Sequence, residues 1–82
     1  MTYQIKDHGD FRADVTFKAK DPEFAWTEFA YENDGSMIWA GGDFDEDTVT
    51  INYDLSLICH DQDEFINEIE GFATLLVKQF GG

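Results

Sequence analysis

The sequence predicts a small α+β domain, an antiparallel β-meander of four to five strands with one C-terminal helix packed on its apolar face. Three stretches carry that expectation. Residues 11–19, FRADVTFKA, alternate strictly, with Phe11, Ala13, Val15, Phe17 and Ala19 on one face and Arg12, Asp14, Thr16 and Lys18 on the other. A period of two is that of a half-buried strand. Residues 48–58, TVTINYDLSLI, repeat it, with Val49, Ile51, Tyr53, Leu55 and Leu57 facing one way and Thr48, Thr50, Asn52, Asp54 and Ser56 the other. From about 62 to 80 the spacing changes to three and four. Phe65, Ile69, Phe72, Leu76 and Phe80, with Ile66, Ala73 and Val77, make one apolar stripe, as in an amphipathic helix lying on a sheet.

Taken in order, the chain opens with Tyr3 and Ile5 alternating with Thr2, Gln4 and Lys6. A three-residue turn at Asp7-His8-Gly9 would set Ile5 opposite Phe11, Tyr3 opposite Ala13 and Lys6 opposite Asp10. Residues 22–33 admit two readings. As a strand they join SMIWA through Asn33-Asp34-Gly35, so that Tyr31 meets Met37, Phe29 meets Trp39 and Glu32 meets Ser36. As a helix they start at Asp21-Pro22-Glu23 and end at Asn33 to Gly35, which turns the order into ββαββα. The apolar cross-strand pairs favour the strand, because a helical projection scatters Phe24, Trp26, Phe29 and Tyr31 over a broad arc. At the last helix Asp61 and Glu64 stand three apart as a capping box, acids fill the first turn, Lys78 lies in the last, and Gly81 follows as the cap.

With 82 residues one domain, 1–82, is expected, burying only about 60–65% of its unfolded surface. Its core must be dense. Eight Phe, three Tyr and two Trp supply it, each ring burying roughly 150–250 Å². A single cysteine, Cys59, excludes an internal disulfide. Ahead of a helix start it could be an activated thiolate, although a lone cysteine is more often a small core hydrophobe. With neither an apolar run of bilayer length nor a secretory leader, a soluble, cytoplasmic protein is expected.

Charge is the outstanding feature. Eighteen acidic residues against five basic ones give −13, and the excess is lopsided: residues 1–20 sum to +1, whereas from residue 21 onward fifteen acids face Lys78 alone. Such an excess repels itself and costs stability, so it calls for a reason such as solubility, salt adaptation or a cationic partner. It argues against direct contact with nucleic acid or an anionic membrane.

The densest acids are Asp43, Asp45, Glu46 and Asp47. Their opening D-x-D-x-D matches a calcium loop, but Thr48 stands where that loop needs Gly and Asp54 where it needs a bidentate Glu. Neither a metal nor a cofactor is expected. Catalysis by carboxylates needs an acid and a base in one pocket, and His8 and His60, both in turns, come with neither a nucleophile nor a phosphate loop, so no enzyme is expected. The terminal Gly81-Gly82 is explained by a helix cap and a frayed end. A display of charge to a partner remains. Its candidate residues are Asp43, Phe44, Asp45, Glu46 and Asp47 in the loop, with Glu28, Glu32, Asp14 and Asp54 on the wet face of the sheet, and Phe44, Trp26 or Ile38 as an apolar anchor.

In size, acidity and sheet-plus-helix outline the chain resembles the small acidic inhibitors that phages encode: anti-CRISPR proteins, restriction inhibitors and uracil-DNA glycosylase inhibitors. The resemblance implies a DNA mimic that occupies the basic nucleic-acid channel of a host defence protein, a Cas effector, restriction enzyme or nuclease, its carboxylates taking phosphate positions. A domain about 30 Å across would displace duplex carrying roughly 18 phosphate charges, the same order as −13. The same physics fits an immunity or antitoxin protein plugging a basic nuclease toxin. Acid adaptation to a salt-rich cell is the remaining explanation.

Overall fold

Six elements follow one another in the computed structural model, which describes residues 3–81: β1 (Tyr3–Gly9), β2 (Arg12–Lys18), α1 (Pro22–Glu32), β3 (Trp39–Phe44), β4 (Thr48–Asp54) and α2 (Gln62–Phe80). The order is ββαββα, so the reading with residues 22–33 helical describes the chain and the simple meander with a single helix does not. The four strands form one antiparallel sheet in the order β1-β2-β4-β3. Helix α2 packs on β1 and β2, α1 on β3 and β4. Both cover the same face, since Phe29 of α1 and Phe72 of α2 each pack on Tyr53 of β4.

Helix α1 overturns the strand expected there, and its caps explain why. Asp21 Oδ1 accepts from the Phe24 N–H at 3.1 Å, Pro22 occupies the first turn, and the Asn33 side-chain amide donates to the Phe29 carbonyl at 2.9 Å. Each satisfies or removes a polar group that a bare helix end would leave unpaired. The aromatics mislead because they serve three surroundings. Phe29 enters the core beside Pro22 and Ala25, while Trp26 leans sideways, edge-on to Trp39 at 5.8 Å. Phe24 and Tyr31 stand in solvent, Tyr31 at 80% exposure.

The first hairpin also differs from its expected register. Its turn is Asp10-Phe11, both with positive φ (56° and 61°), and the pairs are Tyr3 with Phe17, Ile5 with Val15 and Asp7 with Ala13, with a bulge before Gly9 meets Arg12. A two-residue turn matches strand twist and lengthens the ladder, keeping apolar pairs on the covered face. Left-handed backbone costs a non-glycine residue roughly 1–2 kcal/mol. For Phe11 the contact of its ring with Phe65, centroids 5.9 Å apart, offsets part of that cost.

Strand β4 ends at Asp54, four residues earlier than expected. Asp54 Oδ1 accepts from the Ser56 N–H (3.0 Å) and hydroxyl (2.7 Å), which turns the chain. Leu55 and Cys59 remain buried, whereas Leu57 leaves the core at 64% exposure. Helix α2 starts as expected: Asp61 Oδ1 accepts from the Glu64 N–H at 2.8 Å, and Glu64 Oε1 accepts from the His60 N–H at 2.7 Å. Phe17, Val15, Val49, Ile51, Leu55, Phe65 and Ile69 are fully buried between the layers.

Strand β3 passes under α1 at a glycine. Gly42 pairs with Ile51 and so faces the helices; a Cβ there would press on the Thr50 carbonyl oxygen and lie 2.8 Å from Cζ3 of Trp26. Because one contact is backbone, the strain cannot relax by side-chain motion alone. Gly42→Ala should cost about 1–3 kcal/mol, read as a lower urea midpoint at unchanged slope; an equally stable variant contradicts the close approach.

Candidate functional site

The sheet register decides which charges share a surface. On the open face Lys6 lies beside Asp14 and Asn52, Gln4 beside Thr16, Thr50 and Asp43, Arg12 beside Asp54, and Lys18 beside Thr48. Three cations therefore balance three carboxylates. Asp14 is tied down as well, accepting from His8 Nε2 at 2.9 Å and Asn52 Nδ2 at 2.7 Å. The wet face foreseen from the sequence exists, but it is polar and close to neutral.

The expected loop cluster forms the tip of the β3–β4 hairpin. Asp45 Oδ1 accepts from the Thr48 hydroxyl (2.7 Å), the Thr48 N–H (3.2 Å) and the Asp47 N–H (3.4 Å), so this carboxylate builds the turn. Asp43 Oδ1 takes the Phe44 N–H at 2.8 Å, and Phe44 is partly exposed beside it. Glu46 and Asp47 are exposed. The Asp47 carbonyl accepts from the Ala19 N–H at 3.0 Å, which sets the tip against the segment carrying Lys18 and Lys20. Among the described residues no three His, Cys, Asp or Glu side chains are grouped to hold a metal ion.

Most of the charge lies on the helical layer. Residues 21–33 and 61–81, the helices with their caps, hold nine of the eighteen acids against Lys78 alone, −8 of the net −13. Among the described residues the ion pairs are His8–Asp14 and a distant Arg12–Asp10 contact at 3.9 Å, so none neutralises a helical acid. Glu28 and Glu32, expected beside Asp54, stand on α1, the opposite layer. The candidate residues thus divide into three places: the hairpin tip, the open face with Asp54, and the flank of α1.

That flank borders a groove that the sequence reading missed. Helices α1 and α2 scarcely touch, and between them Phe29, Ile38, Tyr53, Phe72, Leu75 and Leu76 line a depression of about 260 Å³. Tyr53 and Phe72 stack in its floor, 5.2 Å apart and 8° from parallel, and Gln79 Nε2 donates to Glu32 Oε1 at 2.9 Å across the rim. Burial pushes the Tyr53 phenol well up. The groove exists only if residues 22–32 are helical, and the signals for that were Asp21-Pro22 and Asn33. Near the start of α2 the Cys59 thiol is pushed up by burial and by Glu64, Glu68 and Asp61. An electronegative, buried setting leaves it unactivated.

Four carboxyls are held below the usual aspartate range. For Asp7 the Gly9 N–H and the Gln62 amide are responsible, for Asp45 the Thr48 hydroxyl and the Asp47 N–H, and for Asp54 the Ser56 hydroxyl and N–H. For Asp14 burial opposes ionisation, but the hydrogen bonds from His8 and Asn52 outweigh it. Their contribution to stability is complete above the unfolded value of about 3.9 and is lost as pH falls through the depressed folded values. Relief of repulsion among the other acids acts in the opposite sense over the same window, so the comparison isolates the bonds: between about pH 4 and about pH 2 the urea midpoint of the parent should lose ground relative to that of an Asp14→Asn variant, and parallel curves would contradict the Asp14 bonds.

No known family model matches the chain, and neither a curated protein nor a solved structure is significantly similar to it. No helix among the described residues is long and apolar enough to cross a membrane.

Proposed function

We propose that the protein is an acidic inhibitor that covers a basic, nucleic-acid-binding surface of a partner protein, and that the helical layer makes the contact. The observation that carries this is the acidic helical layer, free of ion pairs among the described residues, with Glu32 on the rim of an open apolar groove and Glu28 and Glu68 one turn along its flanks. Charge alone steers association and sets specificity, while lasting complexes need a desolvated apolar anchor. Carboxylates beside an apolar groove suit a plug for a folded basic protein, an immunity or antitoxin protein set against a nuclease toxin.

The acidic hairpin tip favours a second version, in which the protein resembles phage-encoded anti-CRISPR inhibitors and its carboxylates mimic DNA phosphates in the channel of a Cas effector or restriction enzyme. Asp43, Phe44, Asp45, Glu46 and Asp47 would then enter the channel. Either partner is a basic protein; direct contact with nucleic acid is disfavoured by the same charge.

Where a nuclease toxin is encoded beside it, the protein mixed with that purified nuclease should suppress DNA cleavage at equimolar ratio and low salt. Inhibition should fade as the screening length shrinks from about 10 Å at 0.1 M to about 3 Å at 1 M. Where the neighbouring genes are those of a phage, the host's defence nucleases take the place of the toxin. Cleavage unaffected at every salt concentration, with both kinds of nuclease, sinks the proposal.

A further inference from the structure

We infer that the groove between α1 and α2 receives one amphipathic helix of the partner, apolar on one side and cationic on the other. The inference rests on the reading above that the partner is basic. The two helices of this layer are joined by little more than the Gln79–Glu32 hydrogen bond, so a helix laid over the gap can insert its apolar side chains between them. Its apolar stripe would meet the stacked Tyr53 and Phe72 in the floor and Leu75 at the edge, which is 60% exposed. Helix-in-groove recognition works through such anchors at three- and four-residue spacing.

Charge selects the occupant. Glu28 and Glu32 lie one turn apart on the flank of α1 that reaches α2, and Glu68 shares its flank of α2 with Phe72, Leu75 and Gln79, because three- and four-residue steps stay on one side of a helix. Lysines or arginines bordering the guest's apolar stripe would meet these acids on both walls. A second copy of this chain would bring the same acids against them, each copy carrying −13, so self-association through this groove is opposed. At about 260 Å³ the depression is smaller than the roughly 300–1,000 Å³ typical of small-molecule pockets. It suits a few side chains presented by a helix.

The test is calorimetric titration with a synthetic Leu/Lys amphipathic helix and with a scrambled peptide of identical composition, alongside amide chemical-shift mapping. The ordered peptide should bind at least about tenfold more tightly than the scrambled one, with shifts at Tyr53, Phe72 and Leu75, and Leu75→Ala should weaken it by about tenfold. Leu75 is exposed, so its truncation leaves the fold intact, as a melting curve would verify. Equal affinity for both peptides, shifts confined to residues 43–47, or a dimer that Leu75→Ala dissolves would each overturn the assignment. If the peptide binds as described but no nuclease is inhibited, the functional proposal falls and the groove assignment stands. If inhibition occurs but ignores Leu75→Ala, the reverse holds.

Discussion

Replacing Glu28, Glu32 and Glu68 together by Gln should make the protein more stable and a poorer inhibitor. Glu28 and Glu32 are a like-charged pair four residues apart on α1, and Glu64 and Glu68 repeat the arrangement on α2. Each such pair costs a helix about 0.2–0.5 kcal/mol. Glu32 also stands in the last turn of α1 with no basic residue there, where the helix dipole disfavours an anion by about 0.3–1 kcal/mol. Removing the three charges should return about 1 kcal/mol, a rise of roughly 4–8 °C in melting temperature for a domain of this size. Binding should weaken by about a hundredfold at low salt, equivalent to about 1 kcal/mol for each lost charged contact.

The opposite signs give the experiment its power, because a surface that is acidic only for solubility or salt adaptation would gain stability and lose nothing. The hairpin tip supplies the control. Asp43→Asn, Glu46→Gln and Asp47→Asn together remove as much charge but should change affinity only a few-fold. Asp45 is left in place, since its three hydrogen bonds shape the turn and its replacement would confuse folding with binding. Should the tip variant lose binding and the helical variant keep it, phosphate mimicry through residues 43–47 becomes the better explanation.

The largest effect on stability is expected at Phe65. Its ring is 1% exposed and contacts Phe11, so it fastens α2 to the turn of the first hairpin. Phe65→Ala should cost about 3–5 kcal/mol through lost burial and the cavity left behind. A chain of 82 residues has only about 4–12 kcal/mol to lose, so the variant should melt far below the parent and be substantially unfolded at 37 °C if the parent lies at the low end. Ile66→Ala, one residue on and 42% exposed, should be nearly neutral. A loss below about 1 kcal/mol at Phe65 would mean that α2 is not anchored there.

Much of this architecture was legible in the sequence. Strands β2 and β4 follow from period-two alternation, and α2 follows from its stripe and the Asp61–Glu64 cap, because each presents a single face to one shared core. Residues 22–32 defeated the same reasoning, since α1 divides its aromatics among the core, the flank at Trp39 and solvent. No single period describes three environments. Here local capping chemistry at Asp21, Pro22 and Asn33 was the sounder guide than the aromatic pattern. The hairpin register was hidden for a related reason: an Asp and a Phe in left-handed backbone carry little turn signature, and only the Phe11–Phe65 contact makes the second worthwhile.

The candidate site was legible in its charge and not in its place. The acids from residue 21 onward are a property of the letters alone, but assigning Glu28 and Glu32 to the same surface as Asp54 depended on a strand that does not form. The apolar groove could not be read at all without α1, because its walls come from residues 29 to 79, brought together only by the covered sheet.

Affinity for a basic partner, followed across a salt titration from about 0.05 to about 0.5 M, tests most directly whether unpaired helical acids carry binding. The dissociation constant of the parent should climb steeply over that range. In the Glu28, Glu32 and Glu68 glutamine variant it should start higher and climb less, while the tip variant should follow the parent. An affinity that is flat in salt, or a helical variant whose curve overlays the parent's, would contradict the placement of the binding surface between α1 and α2.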